Sequence, residues 1–142
     1  MVTVQQIYDM AIHLMDEQSE TDGSTVHTDT DEYRFRTISI LNSVIPAIYP
    51  YSGGYHPGDS GRPVPPPLYV DSYKEPDFRQ MIPLDEGLCF AVLPYYLAAQ
   101  LLSVENEALS AWFMNRYRET LMDMRHKVPA SFETITAPYG LF

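Results

Sequence analysis

Apolar and polar positions divide the chain into four helical stretches separated by polar or proline-rich segments. Val4, Ile7, Tyr8, Ala11, Leu14 and Met15 recur at a helical period behind a Thr3/Gln6 capping-box pattern, predicting a first helix over about residues 4–18. The polar stretch 19–30 contains Gly23 and several N-cap formers and predicts a loop. A second helix is predicted from about Asp31, with Tyr33, Thr37, Ile40, Leu41, Val44, Ile45 and Ile48 on one face. Pro46 is expected to kink or restart it, because the ring displaces the preceding residue from helical geometry, and Pro50 to end it. The run 88–102, LCFAVLPYYLAAQLL, is apolar on every side, which means burial in protein or in lipid. Its fifteen residues include Pro94 and Gln100 and fall short of the roughly twenty that a membrane span needs. It therefore predicts the central helix of a bundle, from about Leu84 or Asp85 to about Ser103. Pro94 should kink that helix or begin a new first turn.

The tight polar turn 103–106 predicts an antiparallel neighbour for this helix. That fourth helix runs from about Asn106 to Lys127, with Leu109, Trp112, Phe113, Tyr117, Leu121 and Met124 as its inward stripe. Arg125, His126 and Lys127 place positive charge where the helix dipole favours it, and Asp123 and Lys127 stand four apart. Pro129 stops it.

Two segments break the helical pattern. Residues 50–67 hold four glycines, six prolines and two tyrosines, a composition that excludes a helix or a central strand. So long a stretch without regular structure is uncommon in a compact domain and is usually functional or disordered. Residues 68–83 read as extended, with room for a brief strand or hairpin, so that 50–83 forms one long loop. The tail 129–142, PASFETITAPYGLF, is apolar, β-branched and aromatic, and is expected to dock as an extended arm. The fold class expected is mainly α: a small four-helix bundle forming a single domain over 1–142, with a long Pro/Gly-rich loop and an extended C-terminal arm. No internal repeat is present.

Charge sharpens this picture. The first 33 residues carry eight carboxylates and no lysine or arginine, although the whole chain has a net charge of only −10. A protein that grips DNA needs a basic stripe to displace counterions, and the N-terminal quarter offers the opposite. Its carboxylates read either as ordinary solvated side chains or as a surface that repels phosphate. The single cysteine, Cys89, lies in the apolar run and excludes a disulfide framework or a thiolate metal cage. It reads as a small core residue, since a reactive thiolate needs an exposed electropositive pocket. No basic-then-apolar leader pattern opens the chain, so a cytoplasmic site of synthesis and assembly is expected.

Catalytic readings fail on spacing. Residues 58–61 spell GDSG, the surround of a serine-protease nucleophile, but they lie in a Pro/Gly loop and read as a turn. His13, His27, His56 and His126 are scattered, with no Glu-x-x-His pair for a bundle metal site. His13 shares a predicted helix face with Asp16 and Glu17, a trio that reads as a solvated cluster rather than a ligand set. Asp85 and Glu86 suit a helix N-terminus better than acid–base work. No phosphate-cradling glycine loop occurs. The expectation is a non-enzyme with no cofactor and no catalytic or metal residues.

The aromatic residues point instead to contacts between proteins. Of eleven tyrosines, Tyr49, Tyr51, Tyr55, Tyr69 and Tyr73 gather in the irregular middle, and Tyr139 stands near Phe142 in the tail. Half-buried packing is one role for such residues, and anchoring an interface is the other. The candidate interface residues are Tyr51, Tyr55, Tyr69, Tyr73, Phe132, Ile135, Tyr139 and Phe142.

The order of parts resembles the head-to-tail connector adaptors of tailed bacteriophages. The stretches that carry the likeness are VTVQQIYDMAIHLMDE, ILNSVIPAIYP, LPYYLAAQLLSVENEALSAWFMNRYRETL and FETITAPYG. Together they cover most of the chain outside 51–80. None is a catalytic signature, and the 50–67 loop is longer and richer in proline than the pattern requires. The resemblance implies a structural virion protein in the neck, assembled in the host cytoplasm as a homo-oligomeric ring of twelve copies. Its implied partners are the portal protein on one side and a stopper or tail-completion protein on the other, with no membrane. Double-stranded DNA would pass transiently and without sequence preference through the central channel. On that reading Glu17, Glu20, Asp22, Asp29, Asp31 and Glu32 are candidates for lining the channel, because carboxylates let phosphate slide where lysines would hold it. Another phage neck or tail-completion protein, or a helical protein-binding module without enzymatic activity, is the alternative expectation.

Overall fold

The computed structural model describes residues 1–17, 23, 30–52, 65–70 and 74–126. These residues are mainly helical, with four helices and one short antiparallel ladder. The elements are β1 (Val2–Thr3), α1 (Val4–Met15), α2 (Asp31–Ile48), a 3₁₀ turn (Tyr49–Tyr51), β2 (Met81–Ile82), α3 (Glu86–Leu101) and α4 (Glu107–His126).

α1 begins with the expected capping box: the Gln6 amide donates to Thr3 Oγ1 at 3.2 Å, and Gln6 Oε1 accepts from the Thr3 amide at 2.9 Å. It ends at Met15, a turn before the residue 18 that periodicity predicts. The amides of Asp16 and Glu17 donate to the carbonyls of His13 and Ile12, with Asp16 in the left-handed region at φ 59°. This Schellman arrangement satisfies the last carbonyls and turns the chain away. On α1, Ile12 is buried where Leu14 was expected, and Leu14 is 38% exposed. On α2, Ile38 is buried and Ile40 only packs against the core, although periodicity placed Ile40 on the inner face.

α2 continues through Pro46 and α3 through Pro94 without being divided. A proline forfeits one backbone bond in each helix, and the packed faces on both sides of it hold the helix together. α3 starts where predicted, with Asp85 Oδ1 accepting from the Leu88 amide at 2.8 Å. It is the helix that all the others meet. Leu88, Cys89, Val92, Leu93, Leu97 and Ala98 are fully buried. No helix among the described residues is long and apolar enough to cross a membrane.

α4 lies antiparallel to α3. Ser110 Oγ donates to the Ala99 carbonyl at 2.7 Å, and the rings of Tyr95 with Phe113 and Tyr96 with Tyr117 stack at 6.3 and 5.0 Å. The start of α4 at Ser110 thus meets the end of α3 at Ala99, and Phe113 and Tyr117 meet the earlier Tyr95 and Tyr96. The turn between them is capped by Asn106, whose Oδ1 accepts from the Leu109 amide at 3.1 Å. Trp112, expected on the inward stripe, is 54% exposed and stands edge-on to Phe113 instead. The side chains of Arg125, His126 and Lys127 that were expected to close α4 lie outside the described residues.

Among the described residues, the extended middle segment holds a brief strand that pairs with the N-terminus. β1 and β2 are antiparallel, Val2 opposite Ile82 and Thr3 opposite Met81. Two side-chain amides hold the segment before β2. Asn42 donates to the Leu68 carbonyl at 3.0 Å and accepts from the Leu68 amide at 2.8 Å. Gln80 does the same for Tyr69, at 2.8 and 2.7 Å. Each substitutes for a missing strand neighbour. The 50–67 loop is described only at its two ends, and the arm 129–142 lies outside the described residues.

Candidate interaction surface

At one corner of the molecule the apolar pattern exceeds what the core takes in. The last turns of α1 bring Met10 and Leu14, one turn apart, to the surface. The first turns of α4 bring Ala108, Leu109 and Trp112 beside Leu14, with Phe113 as the floor. Between the two helices lies an open groove of about 600 Å³ lined by Leu14, Asn106, Ala108, Leu109, Trp112 and Phe113. Val104, 86% exposed, stands in the adjoining α3–α4 turn. Scattered surface hydrophobics are ordinary, but a half-exposed indole beside an apolar groove makes this corner the candidate contact surface.

This corner is held rigidly from beneath. Tyr33 on α2 donates from its hydroxyl to Glu105 Oε1 at 2.5 Å, fastening the α3–α4 turn to α2. Burial, and then this bond, hold the Tyr33 hydroxyl above the ordinary phenol value. Arg36 donates to the carbonyls of Gln100 and Leu101 at 3.0 and 3.4 Å, setting positive charge at the C-terminus of α3. Neither contact was legible in the sequence, because each reaches a residue more than sixty positions away.

The predicted site residues fare unevenly. Tyr51 is half-buried and packs against the core; Tyr69 is 64% exposed, with its backbone held by Gln80. Tyr55, Tyr73, Phe132, Ile135, Tyr139 and Phe142 lie outside the described residues. Of the six acidic candidates, Glu17 is half-buried at the exit of α1, and Asp31 and Glu32 are exposed in the first turn of α2. Asp31 is not an isolated charge: it accepts from Arg34 at 2.9 Å, and Arg34 is also gripped by Glu75. The bond from Glu75, ahead of other influences, holds the Arg34 guanidinium above its ordinary pKa. Glu20, Asp22 and Asp29 lie outside the described residues.

Two further hollows lie on the described surface. One, of about 430 Å³, is lined by Gln5, Arg34 and residues 75–79, and its central cation is already paired with Asp31 and Glu75. The other, of about 250 Å³, lies where residues 65–67 cross Asn42, Ile45 and Pro46. Cys89 is buried, its thiol facing the Leu84 carbonyl at 3.7 Å, and burial pushes its pKa up to about 12. Such a thiol is inert at neutral pH. Among the described residues no three His, Cys, Asp or Glu side chains gather as a metal site would need.

The groove was the part of the surface that sequence reasoning missed. A signal was present: α1 carries apolar residues at Met10 and Leu14 beyond the stripe one core face requires. No known family, curated protein or solved structure matches the chain.

Proposed function

We propose that this protein is a structural component of a phage neck, an adaptor ring between portal and stopper or tail. The four helices act as one small bundle, with Leu68, Phe78 and Ile82 of the 50–83 segment packed into it, and the arm 129–142 is the part that would latch onto a neighbour. The observation that carries the reading is the order of parts along the sequence, which resembles such adaptors. The exposed apolar corner around Trp112 supports it, since a subunit of a ring must present a surface for its neighbours. The acidic N-terminal quarter supplies a lining that would not hold DNA. The same corner alone would equally suit a helical protein-binding module, or another neck or tail-completion protein, and the test separates these readings.

Cryo-electron microscopy of assembled particles should show the chain as a ring beneath the portal, with residues 1–33 nearest the lumen. A position elsewhere in the particle, or absence from it, would sink the adaptor reading. Changing Glu17, Glu20, Asp22, Asp29, Asp31 and Glu32 together to their amides should slow DNA ejection. Unchanged ejection kinetics would remove the channel-lining role while leaving the ring intact.

A further inference from the structure

The Trp112 groove carries carboxylates beside its apolar lining. Asn106 lines it, and the exposed Glu105 and Glu107 flank Asn106 on either side. Glu17 follows Leu14, another lining residue, by three positions. Burial first, then the Glu105 bond, then the charge of Glu17 raise the Tyr33 hydroxyl, so Glu17 lies near the same phenol that Glu105 holds. The neighbouring cations are already engaged. Arg36 donates to the carbonyls of Gln100 and Leu101, and Arg116, one turn beyond Trp112, lies 5.4 Å over the Tyr95 ring with Glu119 at 3.8 Å. We propose that this corner receives an amphipathic helix of another protein, its apolar side chains against Leu14 and Trp112 and its lysines or arginines over Glu105 and Glu107.

The walls select a helix over a strand. Leu14 comes from α1 and Ala108, Leu109, Trp112 and Phe113 from α4, so the groove offers side chains and no row of open amides and carbonyls such as a sheet edge presents. An extended segment laid there would leave its own backbone groups unpaired, whereas a helix arrives with them bonded internally. From Asn106 to Phe113 the lining runs about 10 Å along α4, or about two turns. That length takes apolar anchors one and two turns apart on the incoming helix.

Charge decides between a basic partner and a second copy seated face to face. The chain has a net charge of −10. Two copies meeting through this corner would set Glu105 and Glu107 of one against the same carboxylates of the other. Like charges brought together in a contact oppose it, while a basic flank is drawn to the rim and held in register by it. The inference goes beyond the ring reading and stands or falls separately from it.

Trp112 is the single tryptophan, so its fluorescence reads the groove directly. The probe is a synthetic amphipathic helix of leucine and lysine, about 14 residues or four turns long, compared with a leucine–glutamate peptide of the same pattern. Titrated onto the dilute full chain, the lysine peptide should shift emission to the blue and slow acrylamide quenching about two- to threefold as the indole is covered. The glutamate peptide should do neither. Glu105→Gln/Glu107→Gln, which leaves Tyr33 an acceptor, should weaken the lysine peptide about three- to tenfold with circular dichroism unchanged. Leu14→Ser, at a partly exposed position, should weaken it by removing part of the apolar seat. Unchanged quenching with the lysine peptide, equal binding of the glutamate peptide, or equal affinity in the Glu105→Gln/Glu107→Gln chain would each overturn the inference. Protection of the indole that grows with protein concentration in the absence of peptide would overturn it too, and would assign the groove to a second copy.

Discussion

α3 and the Trp112 corner are both rich in apolar residues, yet they meet opposite fates. α3 packs against α1, α2 and α4, and Leu93 and Leu97 have no exposed surface. At the corner, Leu14 and Trp112 occupy positions of the same chemistry and remain 38% and 54% exposed. Hydrophobicity thus sets which residues seek burial, and the number of packing partners sets which obtain it. α3 has three helical neighbours, whereas the corner lies where α1 has ended in its Schellman turn and α4 has just begun.

The contrast can be broken most forcefully at the centre. Leu93→Ala should lower unfolding free energy by about 2–5 kcal/mol, since the cavity left in an all-round packed site closes only partly. Urea denaturation followed by circular dichroism measures this, and a loss below about 1 kcal/mol would mean α3 is less enclosed than described.

Next in size is the support beneath the corner. Arg36→Met keeps the side-chain stem but removes two charged donors from the end of α3, and should cost about 1–3 kcal/mol. Hydrogen exchange should speed up first at the α3–α4 turn. Uniform acceleration across the molecule would argue against a local role.

Alkaline pH tests burial across the whole core. Burial holds the hydroxyls of Tyr8, Tyr33 and Tyr117 above the usual 10.0 and the Cys89 thiol above 9.0. The folded chain keeps these protons after the unfolded chain has begun to release them. Stability is therefore full below about pH 9 and falls as pH rises through 10 and beyond. Each group contributes up to about 1.4 kcal/mol per pH unit between its unfolded and folded pKa. Tyr33→Phe should lower stability at neutral pH through the lost Glu105 bond, yet flatten the decline above pH 10 by about that slope. An unchanged slope would show that Tyr33 titrates alike in both states.

The smallest effect is expected at the corner. Trp112→Gln should change the stability of the single chain by less than about 1 kcal/mol, because the indole is half in solvent. A cost comparable to that of Leu93→Ala would erase the contrast between the two regions.

Local signals proved reliable for the elements themselves. The Thr3/Gln6 capping box, the Asp85 cap and the all-round apolar run of α3 were legible because each depends on residues within a few positions. Periodicity also located α2 and α4, and misjudged the faces by single positions at Ile38, Ile40 and Leu14. A helix's own pattern records how much apolar surface it carries but not how wide a face its neighbours cover. Trp112 illustrates the limit: its spacing suits the inward stripe of α4, yet it stands 54% exposed.

What the sequence by itself determined was the helical class, the helix starts and the buried identity of α3, all written in nearest-neighbour chemistry and period. What only the tertiary structure decided was the reach of one element to another. The Tyr33–Glu105 bond, the Arg36 cap on α3, the paired amides at Leu68 and Tyr69 and the groove beside Trp112 all join residues far apart in the chain. Such contacts follow from how the packed helices fill space together, which no local stretch of sequence records.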